Sequence, residues 1–99
     1  MTISIKIVSN SKYKVTVKLK TVTTHLVTLS DEVHKNLTNE KVTKEELLDF
    51  SFKFLLDREP NTSILSSFEL TIISRYFSDY EKSVKKWYSS WHRFDTVRQ

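Results

Sequence analysis

The stretch Phe54–Phe77, FLLDREPNTSILSSFELTIISRYF, decides the fold. Its 24 positions hold the end of one helix, a proline break, the start of a second helix and many large apolar side chains. Proline disfavours the helical region for the residue before it, so a helix running into Leu55-Leu56 must stop ahead of Pro60. Asp57, Arg58 and Glu59 fill that stop, and Arg58 can pair with either acid or with a neighbouring carbonyl to fix the turn. The same Arg58 and its two acids could instead be a recognition point for a partner.

Upstream, the pattern Leu47, Leu48, Phe50, Phe52, Phe54, Leu55, Leu56 is apolar on more than one face. A helix from about Lys44 to Leu56 should therefore lie deep, between a sheet and other helices. Asp49 and Lys53 are four apart, as are Lys53 and Asp57, spacings that suit surface pairs. The helix start carries a capping box, Thr43 with Glu46, and a hydrophobic staple, Val42 with Leu47. Two further boxes, Ser66 with Glu69 (stapled by Leu65 and Leu70) and Ser78 with Glu81, predict helices over about Ser67–Phe77 and Ser78–Arg93. In the first of these, Ile72, Ile73, Tyr76 and Phe77 are expected inward. Ser30, with Asp31 and Glu32 behind it, predicts a short helix ending between Asn36 and Asn39.

The N-terminal third has a different period. Ile3, Ile5 and Ile7 alternate with polar residues, Ser9-Asn10-Ser11 reads as a turn, and Tyr13, Val15, Val17 and Leu19 alternate with Lys12, Lys14, Thr16, Lys18 and Lys20. That is the signature of half-buried strands. Thr21–Thr24 is expected to be a turn and His25–Leu29 a third strand. Sequential strands with short links predict an antiparallel three-stranded meander with one dry face. The expected fold is α+β: a β-meander over residues 1–29, about four helices over 30–93 and a frayed tail over 94–99, all in one domain.

Composition narrows the activities. Ninety-nine residues suffice for one core, and six Phe, four Tyr and two Trp make it bulky. Glycine is absent, so phosphate-cradling loops, dinucleotide fingerprints and the strained nucleophile turn cannot form in their usual versions. Cysteine is absent, which removes disulfides, thiolate metal sites and a thiol nucleophile and fits a cytoplasmic setting. No apolar run approaches the ~20 residues of a membrane span, and the N-terminus has no signal-peptide core. His25, His34 and His92 share no ligand spacing, no serine has a base and an acid at recognisable distance, and Asp49, Asp57 and Glu59 read as helix-surface charges. The expectation is a non-enzymatic chain without cofactor or metal, and without a deep pocket of convergent polar groups.

Two binding surfaces stand out. The net charge of +4 divides into +5 over residues 1–20, −4 over 21–80 and +3 over 81–99. Lys12, Lys14, Lys18 and Lys20 form a row on one sheet face, and Lys82, Lys85, Lys86 and Arg93 lie on one side of the last helix. Phosphates could meet such rows, but a lysine face also keeps a sheet soluble and unpaired, and no aromatic residue interleaves on that face to stack bases. The opposite stripe of the last helix, Tyr80, Val84, Trp87, Tyr88 and Trp91, suits either the core or an interface, since Trp and Tyr concentrate binding energy. A basic amphipathic helix can also lie on a membrane. The leading reading is a protein-binding or self-associating module using Asp57, Arg58, Glu59, Trp87 and Trp91. The alternative is a nucleic-acid-associated protein using the two basic sets.

The block FLLDREPNTSIL followed by FELTIISRYFSDYE resembles a family of small uncharacterised bacterial proteins that share an FLLxREPxxSIL…FxLxxIxRYFPxYE segment. The resemblance covers about residues 45–81 and extends to the strand region only in pattern. It marks Arg58, Glu59, Pro60, Ile64, Leu65, Phe68, Arg75, Tyr76 and Phe77, most of which read as packing and turn residues. It implies no activity, cofactor or partner. Ser78 stands where that family tends to have proline, and both residues suit a helix start.

Overall fold

The structure, a computed structural model, describes residues 2–98, with side chains described over 2–90. Three strands come first: β1 (Thr2–Ser9), β2 (Lys12–Lys18) and β3 (Val22–Thr28). Helices α1 (Asp31–Thr38) and α2 (Lys44–Leu56) follow, then a 3-10 turn over Asn61–Ser63. A fourth strand β4 (Ser67–Glu69), a short helix α3 (Ile72–Tyr76) and the long helix α4 (Tyr80–Arg98) complete the chain. The class is α+β as expected, but the sheet is four-stranded and mixed, in the order β1-β2-β3-β4, with β4 parallel to β3.

β4 is the main departure from the sequence reading, which put a helix start at Ser66. In place of capping a helix, the Ser66 carbonyl accepts from the Leu26 N–H at 2.8 Å, and the Thr28 carbonyl accepts from the Leu70 N–H at 3.0 Å. The meander leaves one side of β3 with unpaired backbone groups, and such groups demand partners. A segment 40 residues away supplies them, which overrides a local capping signal. The helix begins only at Ile72, so Ile73 is buried while Tyr76, expected inward, is 67% exposed. The third strand also starts earlier than expected, at Val22, where a turn over Thr21–Thr24 was read; Thr23 and Thr24 pair with Val17 and Thr16. β2 correspondingly ends at Lys18, leaving Leu19 exposed and Lys20 in the connection, off the strand row.

Without glycine, the tight turns are built differently. Among the described residues only Asn39 and Glu40 have positive φ, at 53° and 59°. The β1–β2 link at Asn10-Ser11 therefore cannot use the primed turns that match strand twist. The register slips between Ile7 and Ser9 instead, a bulge that absorbs the mismatch. Asn39 caps α1 in the left-handed region, the role glycine usually fills, and its side-chain amide donates to the Tyr88 hydroxyl at 3.1 Å.

α2 sits as its pattern requires. Its capping box forms in full: the Thr43 hydroxyl accepts from the Glu46 N–H at 3.0 Å and the Glu46 carboxylate from the Thr43 N–H at 2.8 Å. One side faces the sheet, where Phe52 packs against His25 of β3 and Phe68 of β4, with ring centroids 5.3 and 6.1 Å away. The other side faces α4, where Phe54 meets Tyr80 edge-on at 5.2 Å and Phe50 stacks on Trp87 at 4.5 Å. The sheet's inner face supplies Tyr13, Val15, Val17 and Val27 to the same core. Lys44 pins the start of α2, pairing with Asp31 of α1 at 2.5 Å and donating to the Asn10 carbonyl at 3.2 Å. That bond and the ammonium charge hold the Asp31 carboxyl below its ordinary range.

Two polar clusters are buried within this core, and both are satisfied. Ser51 donates to the Leu47 carbonyl at 2.7 Å, so at 2.5 Å it accepts from the Tyr80 hydroxyl. Burial pushes the Tyr80 phenol far above its usual range, against the smaller lowering effect of Ser51. His25 joins the sheet to the distant loop. Its Nδ1–H donates to the Leu65 carbonyl at 2.7 Å, since a carbonyl can only accept, and Nε2 accepts from the Thr23 hydroxyl at 2.9 Å. Asn61 donates to that same hydroxyl at 3.0 Å and to the Thr21 carbonyl at 2.8 Å.

Candidate functional site

The corner between α2 and the 3-10 turn is where the sequence placed Asp57, Arg58 and Glu59, and the structure divides their work. Asp57 closes α2, its N–H donating to the Lys53 carbonyl at 3.1 Å. Arg58 folds back along the helix. Its Nη1 donates to the Phe54 carbonyl at 2.9 Å, and its Nη2 donates to the Asp79 carboxylate at 2.9 Å. The guanidinium carbon lies 3.5 Å from the Phe54 ring centre and 5.8 Å from that of Phe77. The partner acid is thus Asp79, 21 residues away, in the turn that leads into α4. A carbonyl that α2 leaves open, two aromatic rings and a distant carboxylate all converge on one planar cation, which suits Arg and not Lys. Arg58 is a clamp between α2 and the α3–α4 turn.

Arg58→Ala is expected to cost about 1–2 kcal/mol, because the ion pair is partly exposed while the carbonyl bond and the ring contact are sheltered. Arg58→Lys should recover only part of that loss. Urea unfolding midpoints of the two variants check this; equal midpoints for Lys and Arg would remove the planar-clamp argument.

Glu59 lies on the other flank. With Leu55, Ile64, Leu65, Phe68, Ile72, Tyr76 and Phe77 it lines a groove of about 390 Å³ that runs beside β4. Leu65 is 48% exposed and Tyr76 67%, while Ile64 and Phe68 form the buried floor. Among the described residues Glu59 is the one charged side chain lining it. Local periodicity and capping signals did not indicate this groove, because it depends on β4 joining the sheet. The tip-off available was the resemblance, whose marked residues include Glu59, Ile64, Leu65, Phe68, Tyr76 and Phe77. Glu59, Ser63 and Tyr76 line the groove together with its apolar side chains, and Arg58 is not among the described residues that line it.

A second, broader depression of about 650 Å³ lies between α2 and α4. Phe50, Lys53, Phe54, Asp57, Arg58, Lys86 and Trp87 line it, so four of the residues singled out from sequence meet there. Tyr80 and Tyr88 are core residues, and Trp87 is half-buried against Phe50. The Trp91 and Arg93 side chains lie outside the described residues, and the α4 backbone runs on to Arg98, where a frayed tail over 94–99 was expected.

Lys12, Lys14 and Lys18 are exposed on the outer face of β2, beside Lys6 of β1, which pairs with Lys14. Lys20 is exposed in the turn, and Lys82, Lys85 and Lys86 are exposed on α4. Lys82 and Lys85 lie beside Asn36 and Leu37 of α1, and Lys86 lies beside Phe50 and Lys53 of α2. His34 donates through Nε2 to the Val42 carbonyl at 2.6 Å. Among the described residues no group of three or more His, Asp or Glu is placed to hold a metal ion, and no helix is long and apolar enough to cross a membrane. Comparison with protein-family models, with curated proteins and with solved structures found no match to this chain.

Proposed function

We propose that the chain is a non-enzymatic protein-binding module whose working surface is the Glu59–Tyr76 groove. The observation that carries this reading is an exposed pair, Tyr76 and Leu65, at the rim of a groove floored by Ile64 and Phe68. Tyrosine over an apolar pocket is the usual make-up of a binding hot spot. The single carboxylate at Glu59 favours a partner segment with an apolar anchor and a basic residue next to it. The Asp57–Trp87 depression is a secondary contact region under this reading.

The nucleic-acid alternative ranks second because no aromatic residue interleaves with Lys12, Lys14 and Lys18 on the outer face of β2 to stack bases. Kinship with the bacterial family that shares the FLLxREP…RYF segment is part of the proposal. It rests on the segment itself, whose marked residues Arg58 and Phe77 lie 5.8 Å apart, guanidinium carbon to ring centre. Placement in the cytoplasm rests on the cysteine-free composition.

The test is a selection of displayed random peptides on the intact chain, with counter-selection on Tyr76→Ala. Tyr76 is largely exposed, so that variant keeps its fold. Enriched peptides are expected to carry an apolar anchor beside Lys or Arg and to bind at least tenfold more weakly to Tyr76→Ala and to Glu59→Gln. Enrichment that ignores both substitutions, or that depends on Trp87, would move the site to the α2–α4 depression. Binding of single-stranded DNA at low salt, lost with Lys14→Glu and unaffected by Tyr76→Ala, would reverse the ranking.

A further inference from the structure

β1 is an edge strand of eight residues, and among the described residues no strand pairs with its outer side. Its inner-face isoleucines are only partly covered. Ile3 and Ile5 pack against the core from a half-buried position, and Ile7 is 62% exposed. Edge strands are normally protected by charges, lysine above all, by proline, by bulges or by short length, and the bulge of β1 lies only at its end, between Ile7 and Ser9. β1 has one charged residue, Lys6, and it lies on the outer face in line with Lys14. The opposite edge, β4, is three residues long and is followed directly by the turn into α3.

We propose that β1 pairs antiparallel with β1 of a second copy about a two-fold axis at Ile5, which joins two four-stranded sheets into one of eight strands. The occupant follows from the strand's own register. Centred on Ile5, the pairing sets Ile3 against the partner copy's Ile7, Ile5 against Ile5 and Ile7 against Ile3, so all six isoleucines meet in one apolar row. On the outer face each Lys6 meets a Ser4. Centring on Lys6 opposes two lysines directly, which is destabilising. Centring on Ser4 leaves Ile7 without an isoleucine partner. A slip of one residue turns the helical layers of the two copies to opposite sides and separates the isoleucines. One register therefore satisfies both the apolar row and the charges, and it is self-complementary, as a two-fold interface must be. The row also continues the existing core, because Ile3 and Ile5 already pack on it.

The chain has no cysteine, so introduced thiols report the register without background. Ser4→Cys and Lys6→Cys are both at exposed outer-face positions. Directly opposed residues lie about 4.5–5.5 Å apart at Cβ, so mild oxidation of the two variants mixed together is expected to give a cross-linked pair. Either variant alone should give at least tenfold less. Light scattering of the unmodified chain at about 100 µM is expected to show twice 11.7 kDa, and Ile7→Lys to show a single copy that still unfolds cooperatively, with a melting temperature lowered only by the loss of association. A monomeric unmodified chain, a dimer indifferent to Ile7→Lys, or Ser4→Cys cross-linking with itself as well as with Lys6→Cys would overturn the proposal.

Discussion

Phe52→Ala is expected to remove about 3–5 kcal/mol of stability, the usual cost of deleting a buried phenyl ring. A domain of this size has only about 5–15 kcal/mol in total, so the variant should be half unfolded at a much lower urea concentration, or unfolded in water. The reason lies in where the ring sits. Phe52 is fully buried on the sheet side of α2 and touches both His25 and Phe68. Those two residues belong to β3 and β4, the strands whose parallel pairing closes the sheet. Removing the ring leaves a cavity at that junction, and the surrounding strands cannot collapse into it without breaking their backbone bonds. Equilibrium unfolding in urea measures the loss. A cost below about 1.5 kcal/mol, the range of volume-conserving swaps, would mean that Phe52 is not the packing centre of this interface.

His25→Phe is expected to cost about 1–3 kcal/mol through polar groups left unpaired, with the ring volume kept. His25→Ala adds a cavity, and the total should rise to about 3–5 kcal/mol. His25 is 2% exposed, and both its nitrogens are engaged. Losing the ring orphans the Leu65 carbonyl and strips the Thr23 hydroxyl of its acceptor, while Asn61 still donates to Thr23. The damage should be local first. Hydrogen exchange at the Leu26 and Leu70 amides, which bond across the β3–β4 pair, should quicken in His25→Phe more than exchange in the β1–β2 hairpin. Uniform quickening over the whole sheet would show that the histidine supports the global fold and not the β4 docking. The ring is 5.3 Å from Phe52, so the double variant should depart from additivity, by on the order of 0.5–3 kcal/mol.

Both effects concern β4, which is the part of the chain that local reading missed. The α2 boundaries, the capping box at Thr43 and the alternation of β2 are set by neighbours within a few residues: a hydroxyl three positions from a carboxylate, an apolar residue every second place. Such signals survive folding when tertiary contacts agree with them. At Ser66–Glu69 they do not agree. The same three-residue spacing that caps α2 is present, but the open edge of β3 and the His25 ring claim the backbone there.

The site follows the same division. Arg58, Glu59 and Pro60 announce a corner because proline and charge punctuate a helix whatever surrounds it. That Arg58 reaches Asp79 and that Glu59 and Tyr76 share one groove depends on contacts 17 or more residues apart in the chain. Short-range periodicity is written into neighbouring residues by sterics and hydrogen bonding, so it can be read in order along the chain. Which edge a distant segment pairs with is settled by the backbone groups left unpaired and the cavities left unfilled, and these exist only once the rest has packed.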